Sequence, residues 1–180
     1  MVVEVQEAQT DRLGGVIEQV RQNLAAAPEP PIATFAVTSA LVNDYETHVQ
    51  IRDFALTVDE PEQIGGNNTG PTPVELVLAA LGACQEIVYA TYARVLGIPL
   101  NGVAVSAEGR LDLRGFFGVA DEQAGFKDVT YTVAIDSPAP QEDIARLVAA
   151  VNAHCPVLDI LQQPVPVSGA YRLNGVEFPA

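Results

Sequence analysis

The sequence has 180 residues, which suits one domain, and its hydrophobic residues make up 48% of the chain, enough to bury a core. Nine Lys and Arg stand against 23 Asp and Glu, and the resulting net charge of −14, without any basic cluster, excludes nucleic acids and anionic membranes as expected partners. The N-terminus lacks the features of a signal peptide and no apolar run approaches the roughly 20 residues of a membrane span, so we expect a cytoplasmic protein.

The first predicted element is an amphipathic helix over about residues 14–27, ended by the proline-rich stretch 28–31. The apolar residues at helical spacing within it are Val16, Ile17, Val20 and Leu24. We therefore predict a helical extension over residues 1–31 and a main domain over residues 32–180.

Three strands are predicted next, because β-branched and aromatic residues alternate roughly with polar ones over residues 32–41, 45–51 and 54–58. The following stretch, "DEPEQIGGNNTGPTP", is rich in glycine, proline and asparagine, which is typical of a loop.

A long helix is predicted after this loop. Thr72 is a good N-cap, Pro73 suits the first helical position, and Glu75 completes a capping box three residues after the cap. The helix is expected to end near Leu96, because Gly97 follows it.

The second half of the chain predicts two antiparallel strands over residues 103–115 and 129–136, a helix over 141–154, a short helix from Pro156 and a last strand over 165–173. The order is strands, helix, strands, helix, strand. This order predicts an α+β fold in which an antiparallel sheet packs on two central helices.

Cys84 is one of only two cysteines and lies inside the first long helix. Residues that share its helix face, within about 60° of it, are apolar; they include Val77, Leu81, Val88 and Val95. This pattern favours a small buried side chain, whose thiol has a raised pKa and is inert unless a cation lies nearby.

Cys155 precedes Pro156, so one helix is expected to end there and the next to begin, with Cys155 as its N-cap. The Cys155 sulfur would then face unpaired backbone N–H groups at the positive end of the helix dipole, which favours a thiolate. The residues alone also permit a simple chain break with an incidental thiol.

Together, two thiols on adjacent helices suit peroxide chemistry, in which one thiolate becomes a sulfenic acid and the other resolves it to a disulfide. A metal site formed by Cys84, Cys155, His48 and His154 is disfavoured because no pair has the short spacing of a structural zinc site. A Cys–His hydrolase is also disfavoured, since His154 and Cys155 are sequence neighbours whose side chains would point apart.

The stretches "DEPEQIGGNNTGPTPVELVLAALGAC" and "NAHCPV" resemble the OsmC/Ohr family of small thiol-dependent hydroperoxidases, over roughly residues 32 to 174. The resemblance implies an intertwined homodimer with an antiparallel sheet wrapped on two long central helices. It also implies that Cys84 is the peroxidatic cysteine, Cys155 the resolving cysteine and organic hydroperoxides the substrates, with no metal or organic cofactor. A dithiol such as a lipoylated or thioredoxin-type protein would restore the thiols.

The sequence departs from the peroxidase branch of that family at its activating pair, a glutamate ten residues before the first cysteine and an arginine in the first hairpin. Val74 stands at the glutamate position, and we assign the neighbouring Glu75 to the capping box. Arg52 is the nearest candidate arginine, although a strand-edge Arg52–Asp53 surface pair is the preferred explanation for it. Two further arginines that could reach Cys84 in a dimer are Arg21 and Arg94.

Two functions therefore remain open. The first is a thiol-dependent peroxidase that reduces organic hydroperoxides in a redox and antioxidant role. The second is an OsmC-like module without catalysis, which binds a small hydrophobic ligand or senses the redox state. The two thiols favour the enzyme, whereas the missing activating pair favours the binding module.

Overall fold

The computed structural model describes the backbone of residues 2–179 and the side chains of residues 12–179. Its helices are α1 (Val2–Ala25), α2 (Pro73–Leu96), α3 (Leu113–Phe116), α4 (Gln141–His154) and α5 (Pro156–Gln162). Its strands are β1 (Thr38–Asn43), β2 (Glu46–Ile51), β3 (Phe54–Val58), β4 (Gly102–Leu111), β5 (Phe126–Asp136), β6 (Tyr171–Leu173) and β7 (Val176–Phe178). The predicted segments 1–31 and 32–180 begin and end at Met1 and Ala180, which lie outside the described residues. The predicted boundary between the two segments, at residue 31, stays a prediction.

All strand pairs are antiparallel, which confirms the predicted α+β class. The prediction of one sheet is wrong for a single chain. Within the described residues the strands form three separate sheets, ordered β1-β2-β3, β4-β5 and β6-β7. Each sheet pairs strands that follow one another in the sequence, since a short turn or loop brings such strands together most readily.

Two predicted strands begin later than expected. The strand predicted from residue 32 begins at Thr38, and the strand predicted from residue 165 begins at Tyr171 and continues as a hairpin into β7. The missing segments are exposed: Phe35 is 92% and Val167 93% accessible to solvent. Alternating apolar residues predicted strands there, but within the described part of the chain these segments have no strand to pair with.

The predicted capping box of α2 is confirmed. The Glu75 N–H donates to Thr72 Oγ1 at 3.3 Å, and the Thr72 N–H donates to Glu75 Oε2 at 2.8 Å. At the other end, Gly97 adopts a φ of 66°, a left-handed conformation that glycine takes without strain. Both ends of α2 therefore follow from local sequence signals.

Helix α2 is long and apolar enough to cross a membrane by length and composition alone. It contacts α4, α5 and β4, and central helices of folded domains share its length and composition. This property is therefore weak evidence for a membrane span.

Helix α1 is longer than predicted, since it begins at Val2 and continues through Gly14 and Gly15. The predicted helix began at Gly14, because the apolar residues at helical spacing that indicated it follow that position. The helix lies against α2, yet three of the four apolar residues that predicted it are about half exposed. These three are Val16, Val20 and Leu24, whereas Ile17 is less exposed.

The core lies between α2, α4, α5 and the β4-β5 hairpin. Its buried hydrophobic residues are Leu81, Val88, Tyr89, Ala93, Ile98, Leu147, Val151, Cys155 and Leu158. Cys84 is half-buried and packs against this cluster, so both cysteines lie at the contact between α2 and the α4–α5 junction.

Candidate functional site

The loop that leads into α2 is organised around Asp59, whose side chain is 1% exposed. The Asp59 carboxylate accepts hydrogen bonds from the backbone N–H groups of Glu60, Asn67 and Thr69, at 2.8, 3.0 and 3.1 Å, and from Thr69 Oγ1 at 3.0 Å. Burial alone would raise the pKa of Asp59, but these bonds to the charged form together lower it. Sequence reasoning missed this residue, although an aspartate that enters a Gly- and Asn-rich loop is a usable signal.

Two glycines allow the same loop to pack closely on the end of β3. A Cβ atom at Gly66 would lie 1.8 Å from the Glu60 carbonyl oxygen, and one at Gly70 would lie 2.2 Å from the Thr57 carbonyl oxygen. Only glycine fits at both positions, so the loop has a fixed path between β3 and the N-terminus of α2.

Cys84 lies in the middle of α2, and its thiol has a raised pKa. Burial is the largest cause, and the neighbouring Cys155 thiol raises the pKa further. A hydrogen bond from the Val157 backbone N–H has the opposite effect, because it stabilises the thiolate. The structure therefore brings the two predicted site residues together, with one backbone donor aimed at Cys84.

Cys155 confirms the predicted helix break. Its backbone is extended, with φ −83° and ψ 110°, and it is both the C-cap of α4 and the N-cap of α5. The expectation that its own sulfur would receive the N–H groups of α5 is wrong: the side chain makes no capping hydrogen bond, and the Val157 N–H donates to Cys84 instead. Cys155 is 1% exposed because its side chain packs into the core.

We expect the variant Cys155→Ala to lower the pKa of Cys84, because it removes the neighbouring thiol and part of the burial that raise this pKa. The rate of Cys84 alkylation by iodoacetamide, measured from pH 6 to pH 10, should shift to lower pH in the variant. An unchanged or upward-shifted profile would contradict the assigned cause. The wild type is the reference, after its two thiols have been separated by peptide mass spectrometry.

A cavity of about 400 Å³ is lined by Leu81, three residues before Cys84, and by Leu158, three residues after Cys155, but by neither cysteine. The other lining residues are Phe126, Val129, Tyr131 and Leu161, together with the polar Lys127, Asp128 and Gln162. Lys127 also lines the cavity, but its Nζ lies 2.8 Å from Glu122 Oε2 and 3.5 Å from Asp112 Oδ2, so carboxylates already balance its charge. The cavity therefore suits an uncharged apolar group.

The candidate arginines are occupied elsewhere within one chain. Arg52 lies in the turn between β2 and β3, with its guanidinium 5.2 Å from the centre of the Phe54 ring. Arg94 Nη1 donates to the Ala90 carbonyl oxygen at 2.6 Å, and Arg21 lies 3.6 Å from Glu18. Over residues 12–179, no cation contributes to the pKa of Cys84.

Each of the two histidines contacts a residue other than the cysteines. His48 is exposed on the central strand β2, with Nε2 2.8 Å from Glu46 Oε1, so it is not at a sheet edge. The His154 ring stacks on Tyr92, with ring centres 4.8 Å apart and planes 2° from parallel. In the part of the chain that the structure describes, no three His, Cys, Asp or Glu side chains are grouped as a metal site.

A family model described as "OsmC-like protein" matches residues 65–169, more than half of the chain. The chain belongs to the OsmC-like protein family. The match covers the second half of the loop, both cysteines and the α4–α5 junction, and it confirms the resemblance seen in the sequence. No curated protein matches this OsmC-like protein at a significant level.

Solved structures of OsmC/Ohr proteins share the fold of this OsmC-like protein. An OsmC-like protein from Mycoplasma pneumoniae superposes with a TM-score of 0.63 at 21% identity, covering 73% of this chain and 89% of its own. An organic hydroperoxide resistance protein OsmC from Legionella pneumophila superposes with a TM-score of 0.57 at 25% identity, covering 73% of this chain and 90% of its own. An organic hydroperoxide resistance protein from Elizabethkingia anophelis has a TM-score of 0.59 at 18% identity, covering 76% of this chain and 93% of its own. The family is thus associated with hydroperoxide resistance.

Proposed function

We propose that this OsmC-like protein is a thiol-dependent peroxidase that reduces organic hydroperoxides through Cys84 and Cys155. The observation that carries the proposal is the juxtaposition of the chain's only two thiols at the contact of α2 with the α4–α5 junction. The Legionella pneumophila and Elizabethkingia anophelis structures, both of organic hydroperoxide resistance proteins, support the same chemistry.

In the proposed first step, the Cys84 thiolate attacks one oxygen of the hydroperoxide. The O–O bond breaks, Cys84 becomes a sulfenic acid, and the other oxygen leaves as an alkoxide that takes a proton to become an alcohol. The Val157 N–H assists this step because it stabilises the thiolate.

In the second step, the Cys155 thiol attacks the sulfur of the sulfenic acid. An intramolecular disulfide forms, and water leaves with the sulfenic oxygen and the thiol proton. A dithiol of the lipoyl or thioredoxin type then reduces the disulfide, returning both thiols and becoming a disulfide itself. The cycle uses no metal or organic cofactor.

We propose organic rather than inorganic peroxides as substrates, because the cavity lined by Leu81 and Leu158, three residues from Cys84 and from Cys155, has a mainly apolar lining that favours an alkyl or lipid chain. Its only cation, among the lining residues, is Lys127, which is already paired with carboxylates. A neutral apolar substituent is therefore expected to bind in this cavity more favourably than a charged one.

We further propose a cytoplasmic homodimer. Large apolar side chains are exposed on several elements of one chain, which is the composition of an obligate interface. They include Leu41 and Phe54 of the first sheet and Tyr171 and Phe178 of the last hairpin. A second copy could also supply a cation to Cys84, which no side chain over residues 12–179 of the same copy provides, and Arg52, on an exposed turn, is the candidate.

A second candidate function is a binding module whose cavity holds a small apolar ligand and whose thiols sense the redox state. The raised pKa of the Cys84 thiol favours this alternative, since a protonated thiol reacts slowly with peroxides. Both functions use the same cavity, so thiol chemistry is the property that separates them.

The test is a single-turnover reaction of the fully reduced wild type with one equivalent of cumene hydroperoxide under anaerobic conditions. The peroxidase predicts loss of both thiols, formation of cumyl alcohol and a disulfide between Cys84 and Cys155 within one chain, identified by peptide mass spectrometry. Retention of both thiols after an hour at neutral pH would overturn the proposal and favour the binding module. An equal amount of hydrogen peroxide provides the comparison of substrate classes.

A further inference from the structure

Gln85, the residue after Cys84, has a fully buried side chain, with 0% exposure. Neither its Oε1 nor its Nε2 has a hydrogen-bond partner among the described residues. A buried amide without partners is unfavourable because it has lost its hydrogen bonds to water, and most buried amides are paired. Packing alone does not explain a glutamine at this position, because a leucine or methionine would fill the space without burying an unpaired amide.

Gln85 lies on the buried side of α2, at the position after Cys84. Residues i, i+3, i+4 and i+7 of a helix surround one hole into which a neighbouring helix inserts a side chain. In α2 such a set is formed by Leu81, Cys84, Gln85 and Val88. Leu81 and Val88 belong to the same buried cluster as Cys155, and Cys84 packs against that cluster. Gln85 and Cys84 therefore share one set of helix positions on the side of α2 that packs against this cluster.

The Gln85 amide adds a donor and an acceptor to a largely apolar region. Most of the cluster around Cys155 is aliphatic and cannot hydrogen-bond an oxygen atom; the Tyr89 hydroxyl and the Cys155 thiol are its polar groups. Gln85 offers both a donor, Nε2, and an acceptor, Oε1, and both are free in the reduced protein that the structure describes. A sulfenic acid has an oxygen that accepts and a hydroxyl proton that is donated, so it matches both groups.

We propose that the side-chain amide of Gln85 binds the oxygen atom that Cys84 acquires from the peroxide. This proposal rests on the peroxidase function proposed above. Nε2 donates to the sulfenic oxygen, and Oε1 accepts the sulfenic hydroxyl proton. The oxygen is thereby held on the Gln85 side of Cys84, and the opposite side of the sulfur is open to Cys155. When the Cys155 sulfur attacks, the S–O bond breaks and the oxygen leaves as water, with the proton of the Cys155 thiol.

Two consequences distinguish this role from simple packing. In the reduced protein the unpartnered amide is unfavourable, so replacing it with an apolar side chain of similar length should stabilise the fold. In the oxidised protein the same replacement removes the hydrogen bonds to the sulfenic acid, so disulfide formation should slow. Attack of Cys84 on the peroxide precedes these hydrogen bonds and should keep its rate.

The experiment compares the wild type with Gln85→Met and, as a matched control for core perturbation, Leu147→Met, which replaces a fully buried residue of α4. Each reduced protein is mixed with one equivalent of cumene hydroperoxide and quenched at intervals with dimedone and iodoacetamide. Mass spectrometry then gives the fractions of sulfenic acid and of disulfide. Thermal unfolding of the reduced proteins is measured in parallel.

For Gln85→Met we expect about tenfold slower disulfide formation, an accumulated sulfenic acid and peroxide consumption within about twofold of the wild type. We also expect the melting temperature of Gln85→Met to rise by roughly 2–6 °C. Leu147→Met should keep the wild-type rate of disulfide formation and should not have a higher melting temperature. Unchanged disulfide formation in a stabilised variant would overturn the proposal, and so would a destabilised variant, because Gln85 would then have a partner in the reduced protein. If the wild type forms neither a sulfenic acid nor a disulfide, the peroxidase function fails rather than the role of Gln85.

Discussion

Replacement of Cys84 with serine is expected to abolish hydroperoxide reduction, with a loss of at least about a thousandfold in the rate of cumene hydroperoxide consumption with dihydrolipoamide as reductant. A serine hydroxyl cannot be oxidised to the sulfenic acid on which the cycle depends. Cys155 is the only other thiol of the chain, and its side chain is buried in the core. Turnover is followed by the loss of peroxide in a coupled assay at neutral pH.

Cys155→Ser is the matched variant for this prediction. It should retain one rapid oxidation for each Cys84 and accumulate a sulfenic acid that dimedone traps, while its steady turnover falls because no intramolecular disulfide forms. The reverse pattern, with Cys84→Ser forming the sulfenic acid and Cys155→Ser inert, would exchange the two roles. That pattern would also contradict the donation of the Val157 N–H to Cys84 as the feature that selects the attacking sulfur.

Asp59→Ala is expected to cause the largest loss of stability among single changes near the site. The substitution leaves three backbone N–H groups and the Thr69 hydroxyl without their common acceptor in a buried loop. We expect the melting temperature to fall by roughly 5–10 °C. We also expect slower hydroperoxide reduction, because the loop fixes the N-terminus of α2, the helix that carries Cys84. Circular dichroism and the peroxide assay measure the two effects.

The stability difference between the wild type and Asp59→Ala should depend on pH. The pKa of Asp59 is lowered in the folded state, so its contribution is complete above the ordinary carboxyl pKa of about 4 and disappears as the pH falls through the lower folded value. The difference in melting temperature should therefore shrink below about pH 4. Asp53→Ala, on the exposed turn between β2 and β3, is the matched control. Equal effects of both variants would contradict the anchoring role of Asp59.

Local signals in the sequence determined the helices that carry the thiols. The capping box of Thr72 and Glu75 fixed the start of α2, and Pro156 fixed the break at Cys155, because both depend on residues within one helical turn. The family resemblance also came from a short stretch, the loop and helix up to Cys84, and the family match confirmed it. These features depend on residues that are neighbours in the sequence, so they can be predicted without information about distant contacts.

Contacts between distant residues were decided by the tertiary structure alone. The sequence predicted that the N–H groups of α5 would favour a thiolate at Cys155, but the packing of α5 on α2 directs the Val157 N–H to Cys84, more than 70 residues away. The strands predicted from residues 32 and 165 were too long, because pairing requires a neighbouring strand that alternation does not reveal. The unpartnered amide of Gln85 is likewise visible only once the chain has folded around it, and so are the N–H donors that the Asp59 carboxylate collects from Asn67 and Thr69. Burial and hydrogen bonding depend on which segments meet in space, and a residue's own neighbours in the sequence do not specify that.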